Sequence, residues 1–528
     1  MSFTIGLDFG THQTKICVEN AQNPQQKIYE FLQFGNAQGD STLLLPSLVQ
    51  INDDDTLSYG FIDDRKCKTS INQELEYPTL IIEPRKPTLQ LPPKPVKKRN
   101  AKIQKGLSLG DQLKIVVGGE LTNGGCSGDY QKEYKEWEIR CKKVISKFED
   151  DLKIWKEEVE SIKENNNDLI SNWEKQKNQK CQFRYFKLAT YSPESLRWSY
   201  SIGPDVISVW FLTYCLFNIE DRYNECTFQL GVPSGLEKKE FSKQKNKAES
   251  IFIAAYNLKA KFKKKEQFLL ASYKELLERT LIDYEISEYD KNNYPVIVIP
   301  EAYAGLSSIT RQGKIETGMS ILIDIGGGTT DIAFFTISKD KLPNIHAVIS
   351  FPEGLNSIFE SYVEKNKVTM WDLQQAFYYK KGELENMREH TFRYCSNLKF
   401  KVNEMINIAY KNFSKTHTEP RLLLHALTSR PIIFCGGGSV YSKLRPDVYD
   451  NLPNSRTILI DKNILDIPLS MYNSIDNNLY TILATSFGLS ISLENEIEIT
   501  DIGKIFDDIP VIENQRSYKG VAYELADD

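Results

Sequence analysis

A glycine-rich turn between two apolar runs constrains this chain more than any other stretch. From Ile321 to Phe335 the sequence reads Ile-Leu-Ile-Asp-Ile-Gly-Gly-Gly-Thr-Thr-Asp-Ile-Ala-Phe-Phe. Apolar runs separated by glycines predict two buried strands joined by a tight hairpin. Successive glycine amides can point at one anion, and Asp324 can hold a hydrated divalent cation beside it. The alternative interpretation is a glycine bulge in an ordinary hairpin.

A second stretch of this kind lies at the N-terminus. Thr4 to Val18 reads Thr-Ile-Gly-Leu-Asp-Phe-Gly-Thr-His-Gln-Thr-Lys-Ile-Cys-Val, which again places Asp8, Gly10 and the hydroxyl of Thr11 between two predicted strands. Two such hairpins in one chain indicate two similar halves that close on a nucleotide from opposite sides.

Six separated motifs then resemble one superfamily in the right order. They are Asp8-Phe-Gly-Thr11, Pro46-Ser-Leu-Val-Gln-Ile with Tyr59-Gly60, Gly231-Val-Pro-Ser, Ile299-Pro-Glu301-Ala-Tyr-Ala-Gly, Asp324-Ile-Gly-Gly-Gly-Thr329-Thr-Asp331 and Phe434-Cys-Gly-Gly-Gly438-Ser439. Together they resemble the actin, hexokinase and DnaK-type heat-shock chaperone superfamily, and within it the chaperone ATPase domain most closely. The resemblance implies an α/β fold, a two-lobed actin-like ATPase with duplicated ribonuclease-H-like lobes.

The resemblance also implies the domain order. We expect lobe I over residues 1–315, lobe II over 316–495 and an acidic tail over 496–528. Residues 63–182 depart from the family and are predicted to form an insert in lobe I. Roughly forty residues follow Gly488, too few for the peptide-binding domain of full chaperones.

The insert changes character along its length. Glu83 to Arg99 is rich in proline and lysine, which excludes helix and central strand and predicts an extended linker. Further on, apolar residues recur at spacings of three and four, which predicts an amphipathic helix with the seam Tyr134, Trp137, Cys141, Val144, Phe148, Leu152, Trp155, Val159 and Ile162.

This helix is predicted to stop near Asn165-Asn-Asn-Asp168. Leu169, Ile170 and Trp173 then suggest a second helix, so that an α-helical hairpin covers about 130–180. Its seam either packs on the protein's own globular domain or binds an unidentified protein partner.

The resemblance implies that ATP or ADP binds with Mg²⁺ between the lobes. Asp8 and Asp324 are expected to position the metal through its waters. The expected phosphate contacts are Gly10, Thr11, Gly326, Gly327, Gly328 and Thr329. Asp331 and Glu301 are expected to order the attacking water, and Lys187, in Phe183-Arg-Tyr-Phe-Lys187-Leu, to face the γ-phosphate. The alternative for Lys187 is an ordinary surface lysine.

The adenosine side of the site is assigned by the same resemblance. Glu389, Arg393 and Ser396 share one helix face at spacings of four and three. The expected contacts in the last motif are Gly436, Gly437, Gly438 and Ser439. The family's arginine is missing after Ser439, and Tyr441 is the candidate to stack on the base instead. His12 replaces a small hydroxyl residue, and either contacts phosphate or is an ordinary surface or core histidine.

Composition bounds the remaining function classes. A formal charge of -5 and a pI near 5.8 provide no broad basic field, so we expect no nucleic-acid binding. The nine cysteines are scattered without ligand spacing, which is typical of a reducing cytoplasm. The longest apolar stretch, Val206 to Ile219, is too short to span a bilayer, and the N-terminus lacks a signal-peptide pattern. We expect a cytoplasmic protein without membrane contact, monomeric or weakly oligomeric.

The function expected from the resemblance is a slowly ATP-hydrolysing, chaperone-like switch whose lobe closure controls partner binding through helices 130–180. Three alternatives stay open: a nucleotide-binding pseudo-ATPase scaffold, an actin-like filament protein and a small-molecule kinase of the same fold. For a kinase, no acceptor pocket with a catalytic base is evident in the sequence. For a filament, a bulky insert on lobe I would hinder longitudinal packing.

Overall fold

The structure, a computed structural model, describes most of the chain. The described residues are 3–20, 27–35, 41–69, 77–95, 128–177, 180–191, 198–233, 238–310, 313–315, 317–337, 343–356, 358–359, 363, 373, 388–416, 430–445, 457–470 and 474–491. The contacts divide the chain into a main unit, Met1–Ile71 with Lys180–Asp528, and an insert unit, Asn72–Gln179. The predicted tail, 496–528, lies outside the described residues.

Strands and helices alternate along the main unit. Its strands are β1 Phe3–Asp8, β2 Gln13–Asn20, β3 Ile28–Phe31, β4 Phe34–Gly35, β5 Ser41–Thr42, β6 Leu45–Pro46, β7 Val49–Ile51, β8 Leu57–Tyr59, β9 Gln182–Phe183, β10 Cys226–Val232, β11 Val296–Pro300, β12 Gly318–Ile325, β13 Thr330–Ile337, β14 Pro343–Phe351, β15 Ile432–Cys435 and β16 Thr457–Leu459. Numbered along the whole chain, the helices are α1 Gly128–Lys177 in the insert unit, then α2 Phe186–Tyr191, α3 Pro204–Glu220, α4 Lys238–Ala260, α5 Lys265–Leu270, α6 Tyr273–Arg279, α7 Glu288–Lys291, α8 Glu301–Thr310, α9 Arg388–Thr416 and α10 Tyr480–Ser490. Short 3-10 turns occupy Asp64–Lys66, Gly437–Val440, Ser442–Leu444 and Asn477–Leu479. Among these described helices, none combines the length and hydropathy that a membrane span requires.

Two sheets of the main unit share one topology. The first has the order β11-β10-β1-β2-β3, with β6 added beside β2, and the second has the order β14-β13-β12-β15-β16. In each sheet three strands form an antiparallel meander, and the first strand of that meander pairs in parallel with a strand from later in the chain. The predicted α/β class and both predicted hairpins, β1–β2 and β12–β13, are confirmed.

The apolar runs of the sequence form the sheets and the helices packed on them. Strands β1 and β12 are buried along nearly their whole length, as expected for strands covered on both faces. Helix α3 is apolar on every side and buries Trp210 and Phe211 completely in the core beside the first sheet. The indole of Trp210 keeps a polar partner there, because its Nε1 donates to Thr280 Oγ1 at 2.9 Å.

Helix α10 packs against both β1 and α8 because glycines let the backbones touch. A Cβ on Gly488 would lie 1.7 Å from the carbonyl oxygen of Ala304 in α8. A Cβ on Gly6 in β1 would lie 2.3 Å from the carbonyl oxygen of Ser486 in α10. No side chain fits in either place, so these glycines fix the position of α10.

The helix of the insert unit, α1, is continuous, so the predicted helical hairpin over about 130–180 is wrong. Helix α1 runs for 50 residues without a stop at Asn165–Asp168. Asparagine is a poor helix former but does not break a helix. Asn166 is used instead as a link to residues 77–95, since its Nδ2 donates to the Ile81 carbonyl and its Oδ1 accepts from the Ile81 amide.

Residues 77–95, which we call the proline segment, lie along α1 without forming helix or strand. Ile81 contacts Asn166, Pro84 contacts Trp155 and Pro92 contacts Trp137, so the segment runs antiparallel to the helix. Within the predicted seam, Cys141 and Val159 are buried. The predicted extended conformation is therefore present, but the segment is docked on the helix rather than acting only as a linker.

Substituting alanine for Gly488 should destabilise the protein by at least about 2 kcal/mol, because its Cβ would overlap the Ala304 carbonyl oxygen. Chemical denaturation monitored by circular dichroism would measure the loss. Gly35→Ala is the matched control, since an added Cβ there meets no atom within 4 Å, and it should change the free energy of unfolding by less than about 1 kcal/mol. Equal effects of the two substitutions would contradict this packing.

Candidate functional site

A cleft lies where the ends of β1 and β12 meet. It holds about 900 Å³ of empty space, including its open mouth. Its lining contains many of the predicted site residues, namely Asp8, Gly10, Thr11, His12, Lys187, Glu301, Asp324, Gly326, Gly327, Gly328, Thr329, Asp331, Gly436 and Gly437. Residues far apart in the sequence are thus brought to one place by the two sheets.

The first turn joins β1 to β2. Antiparallel pairing places Asp8 opposite Lys15, and the Lys15 Nζ lies 2.8 Å from Asp8 Oδ2. The amide of Gly10 donates to the Asp8 carbonyl, which tightens the turn. The sequence analysis did not identify Lys15. A lysine near the start of the second strand, in register with an aspartate across the hairpin, is the signal that could have identified it.

The second turn joins β12 to β13 and pairs Asp324 with Asp331. The carbonyl oxygens of Gly326 and Gly327 accept hydrogen bonds from the amides of Leu355 and Asn356 at 3.0 and 2.7 Å. In a trans peptide the N–H of the next residue points the opposite way from the carbonyl. The N–H groups of Gly327 and Gly328 therefore point away from residues 355–356. Two successive amides with a common direction in a cleft-lining turn can bind an anion.

The two turns touch each other through glycine. A Cβ on Gly327 would lie 2.9 Å from the Cβ of His12, and a Cβ on Gly328 would lie 3.0 Å from Thr11 Cγ2. His12 also accepts a hydrogen bond at Nδ1 from Asn356 Nδ2 at 2.7 Å. His12 therefore joins the two halves of the cleft, and its predicted phosphate contact stays a prediction.

Lys187 is buried at the cleft and paired with an acidic residue. It lies in α2 with its side chain only 4% exposed, and its ammonium forms a close ion pair with Glu301 Oε1. Tyr185, just before this helix, has a φ of 57°, a left-handed conformation that is uncommon for a bulky residue. The surface-lysine alternative is therefore wrong, because Lys187 is buried at the cleft.

Negative charge exceeds positive charge in the cleft. Four carboxylates, those of Asp8, Glu301, Asp324 and Asp331, line it together with the ammonium groups of Lys15 and Lys187. Burial, with repulsion from the other carboxylates, raises the pKa of Asp324 to about 7. Burial also raises the pKa of Asp331, against a hydrogen bond from Ser350 and the charge of Lys187. For Glu301, burial raises the pKa more than Lys187 lowers it.

This charge pattern fits a cation held through water. Asp331 Oδ1 is buried without a hydrogen-bond partner, and the raised pKa of Asp324 shows that its negative charge is poorly compensated. Within the described residues, no three His, Cys, Asp or Glu side chains are close enough together to bind a metal ion directly. Mg²⁺ commonly uses only one or two carboxylates, with waters and substrate phosphates as its other ligands. Asp8 and Asp324 thus remain suitable for the predicted role.

The adenosine assignments need correction. Tyr441 is 6% exposed in the hydrophobic core, so its ring is not placed to stack on a base. Ser439 is fully buried and donates its hydroxyl to the Cys435 carbonyl. Gly438 packs against Ile325, where a Cβ would lie 2.3 Å from Cγ2. None of these three lines the cleft. Of the residues in this motif, only Gly436 and Gly437 line the cleft.

The predicted helix face is also separate from the cleft lining. Arg393 is exposed on α9, and Ser396, also exposed, donates its hydroxyl to the Phe392 carbonyl of the same helix. Neither residue lines the cleft. Glu389 belongs to the first turn of α9, and its side chain lies outside the described part of the structure.

Several cleft residues belong to none of the sequence motifs. Gln13 follows the first turn, Ser350 pairs with Asp331 across β13 and β14, and Ile482 and Thr485 come from α10. Strand pairing and the glycine contacts of α10 bring them to the cleft, so their position depends on the complete fold.

Comparison of the sequence with protein-family models found no matching family. The search of curated proteins likewise found no match.

Replacing Asp324 by asparagine should stabilise the protein at neutral pH. The native carboxyl has a pKa of about 7 instead of 3.8, so the folded state holds a proton that the unfolded chain releases between these pH values. As pH rises from 5 to 8, the free energy of unfolding of the wild-type protein therefore decreases relative to that of the variant. We expect a difference of no more than about 3 kcal/mol, because Asp324 is only partly buried and lines the cleft. Thermal unfolding across this pH range would measure it.

Asp8→Asn provides the opposite control. Asp8 is paired with Lys15, so its removal leaves a nearly buried ammonium without its partner and should destabilise the protein by about 3 kcal/mol at pH 7. Destabilisation by Asp324→Asn at every pH would show that the carboxylate excess is compensated in some other way.

Proposed function

We propose that this protein is a two-lobed, actin-like ATPase that binds Mg-ATP in the cleft and hydrolyses it slowly. One observation carries the proposal: two acid-ended glycine hairpins, from two sheets of the same topology, converge beside a buried lysine. The repeated strand order supports duplicated ribonuclease-H-like lobes, because a duplicated unit would give each half the same meander and parallel pair. The resemblance of the six sequence motifs supports the chaperone-like branch of this fold.

Residues from both turns of the cleft would bind the phosphates. The N–H groups of Gly327 and Gly328 would donate to phosphate oxygens from one turn, and Gly10 and Thr11 would contact them from the other. Asp8 and Asp324 would hold Mg²⁺ through water, and its charge would offset the carboxylates and phosphates when bound.

The hydrolytic step would use the other charged residues. Asp331 Oδ1, which has no hydrogen-bond partner within the cleft, would accept a proton of the attacking water and orient it. Glu301 would position the Lys187 ammonium by their ion pair, and that ammonium would balance charge developing on the transferring phosphoryl group.

The biological output we propose is a switch. The turns contact each other directly, so a bound γ-phosphate between them would change how the two halves of the cleft close. The insert unit is the proposed site for the partner protein that reads this change.

A nucleotide-binding pseudo-ATPase scaffold is the second candidate. The observation that favours it is the loss of adenosine contacts, since Tyr441 and Ser439 are core residues and Arg393 does not line the cleft. Such a protein would bind nucleotide through the phosphates and would not turn it over.

Phosphate release from purified protein with Mg-ATP and no acceptor would test the ATPase proposal. We expect slow turnover that falls at least about a hundredfold in Lys187→Ala, because a fixed charge next to the transferring phosphoryl is lost. Asp8→Asn and Asp324→Asn should also abolish it, and chelation of Mg²⁺ should prevent it. Nucleotide binding should be measured in parallel by calorimetry.

Lys291→Ala is the matched control for Lys187→Ala. Lys291 is also a nearly buried lysine paired with a glutamate, Glu249, at 3.0 Å, but it does not line the cleft. Turnover should survive this substitution even if stability decreases. Nucleotide binding without turnover in the wild-type protein would favour the scaffold, and absence of both would contradict the two candidates.

A further inference from the structure

The insert unit repeats one recognition pattern at two tryptophans of α1. Trp155 donates from its indole Nε1 to the Pro84 carbonyl at 2.9 Å, and the Lys86 ammonium lies 5.9 Å from the centre of the same ring. Trp137 donates to the Pro92 carbonyl at 2.9 Å, and the Lys94 ammonium lies 5.8 Å from its ring. Each indole thus contacts a Pro-x-Lys triplet through its N–H and its face.

The spacing of the two contacts matches on both sides. Trp137 and Trp155 are 18 residues apart, which is five helical turns and about 27 Å along one face of α1. Pro84 and Pro92 are eight residues apart, which spans about 25 Å in the polyproline II conformation. Proline stiffens the segment in that conformation, so both triplets can bind without bending the helix or coiling the segment.

Much of the apolar surface of the proline segment itself remains exposed. Its apolar side chains face outward to a large extent, with Ile82 88% and Leu91 51% exposed. Among the described residues, the proline segment also contacts α1 through Asn166 and through a Glu83–Lys163 pair at 3.8 Å between exposed side chains. An exposed pair of that kind contributes little stability. The two triplets provide most of the described polar and cation–π contacts between the segment and α1.

The charges of the two elements also favour binding of a basic segment to α1. The proline segment contains three basic residues and one acidic residue, and α1 contains eleven basic and thirteen acidic residues. A basic, extended polypeptide therefore complements a helix of net negative charge.

We propose that Trp137 and Trp155 form a bipartite binding site for a segment of another protein that carries two Pro-x-Lys triplets eight residues apart. The proline segment is its intramolecular occupant, and the partner's segment displaces it. This inference gives the chemistry of the partner in the proposed function. It rests only on the assignment of the insert unit to partner binding and not on ATP hydrolysis.

The test uses the full chain and a fluorescent synthetic peptide with the sequence of residues 77–95 as the probe, without nucleotide. Lys86→Ala with Lys94→Ala weakens the internal occupant, so this variant should bind the peptide at least about tenfold more tightly than the wild-type protein does. Adding Trp137→Phe and Trp155→Phe removes both indole donors and should weaken binding at least about tenfold. Fluorescence anisotropy would measure each affinity.

Two controls separate recognition from nonspecific attraction. A peptide lacking Thr88 and Leu89 keeps both triplets but shortens their spacing by two residues, so it should bind no better than a peptide with one triplet. Ile154→Ala in the lysine variant changes a 61% exposed side chain for which no polar or ring contact is described, and it should leave the affinity unchanged. Circular dichroism would verify that α1 remains helical in all variants, and single tryptophan substitutions would serve if the double substitution unfolds it.

Other outcomes would overturn the proposal. Failure of the lysine variant to bind the peptide, or equal binding of the shortened peptide, would show that α1 does not read the triplets. A dimer that forms with rising concentration and disappears in the tryptophan variant would identify a second copy of this chain as the occupant instead. The peptide-binding test contains no nucleotide, so its results do not bear on the ATPase assay. A negative result in the ATPase assay would likewise not contradict the proposed peptide-binding site.

Discussion

The contact between the two turns of the cleft is the constraint on which the site depends. His12 and Thr11 lie so close to Gly327 and Gly328 that a side chain on either glycine would separate the turns. Amides of residues 355 and 356 bind the carbonyl oxygens of the second turn and thereby fix the direction of its N–H groups. Glycine is required here for close approach, and the same approach brings Asp8 and Asp324 to one cleft.

Bringing these strand ends together concentrates acid groups at a cost in stability. Asp8 and Glu301 each have a lysine partner, yet burial still raises the pKa of Glu301. Burial also raises the pKa of Asp331, and burial together with repulsion from neighbouring carboxylates raises the pKa of Asp324. Groups whose charged forms are disfavoured in the folded protein lower its stability at neutral pH. The apolar strands and the largely buried α3 must offset this cost. An arrangement that weakens the fold at one place is expected where a ligand of opposite charge is to bind.

Sequence reasoning succeeded where a local pattern determines the structure. The two glycine hairpins, the α/β class and the helix α1 follow from short-range periodicity, and the structure contains all three. It failed for Tyr441, because an aromatic residue next to a glycine motif can face either the cleft or the core, and packing on the sheet decides between them. Lys15 was missed although its partner Asp8 was identified, since pairing across a turn depends on strand register. The position of α10 depends on contacts of Gly6 and Gly488 with backbone atoms far away in the sequence, and no local pattern reveals such contacts.

The insert unit shows why periodicity can identify a surface without identifying what covers it. A helix repeats every 3.6 residues, so the aromatic seam of α1 was visible in the sequence, whereas an extended segment without internal hydrogen bonds has no comparable period. Asn165–Asp168 seemed a stop signal because asparagine favours helix ends, yet Asn166 bonds to the Ile81 backbone instead. The matching distances of five helical turns and eight extended residues carry the specificity. A ligand that coiled freely would lose more conformational entropy on spanning about 27 Å than a proline-stiffened one. The prolines therefore favour binding through their rigidity as well as through the two carbonyl groups that contact the indoles.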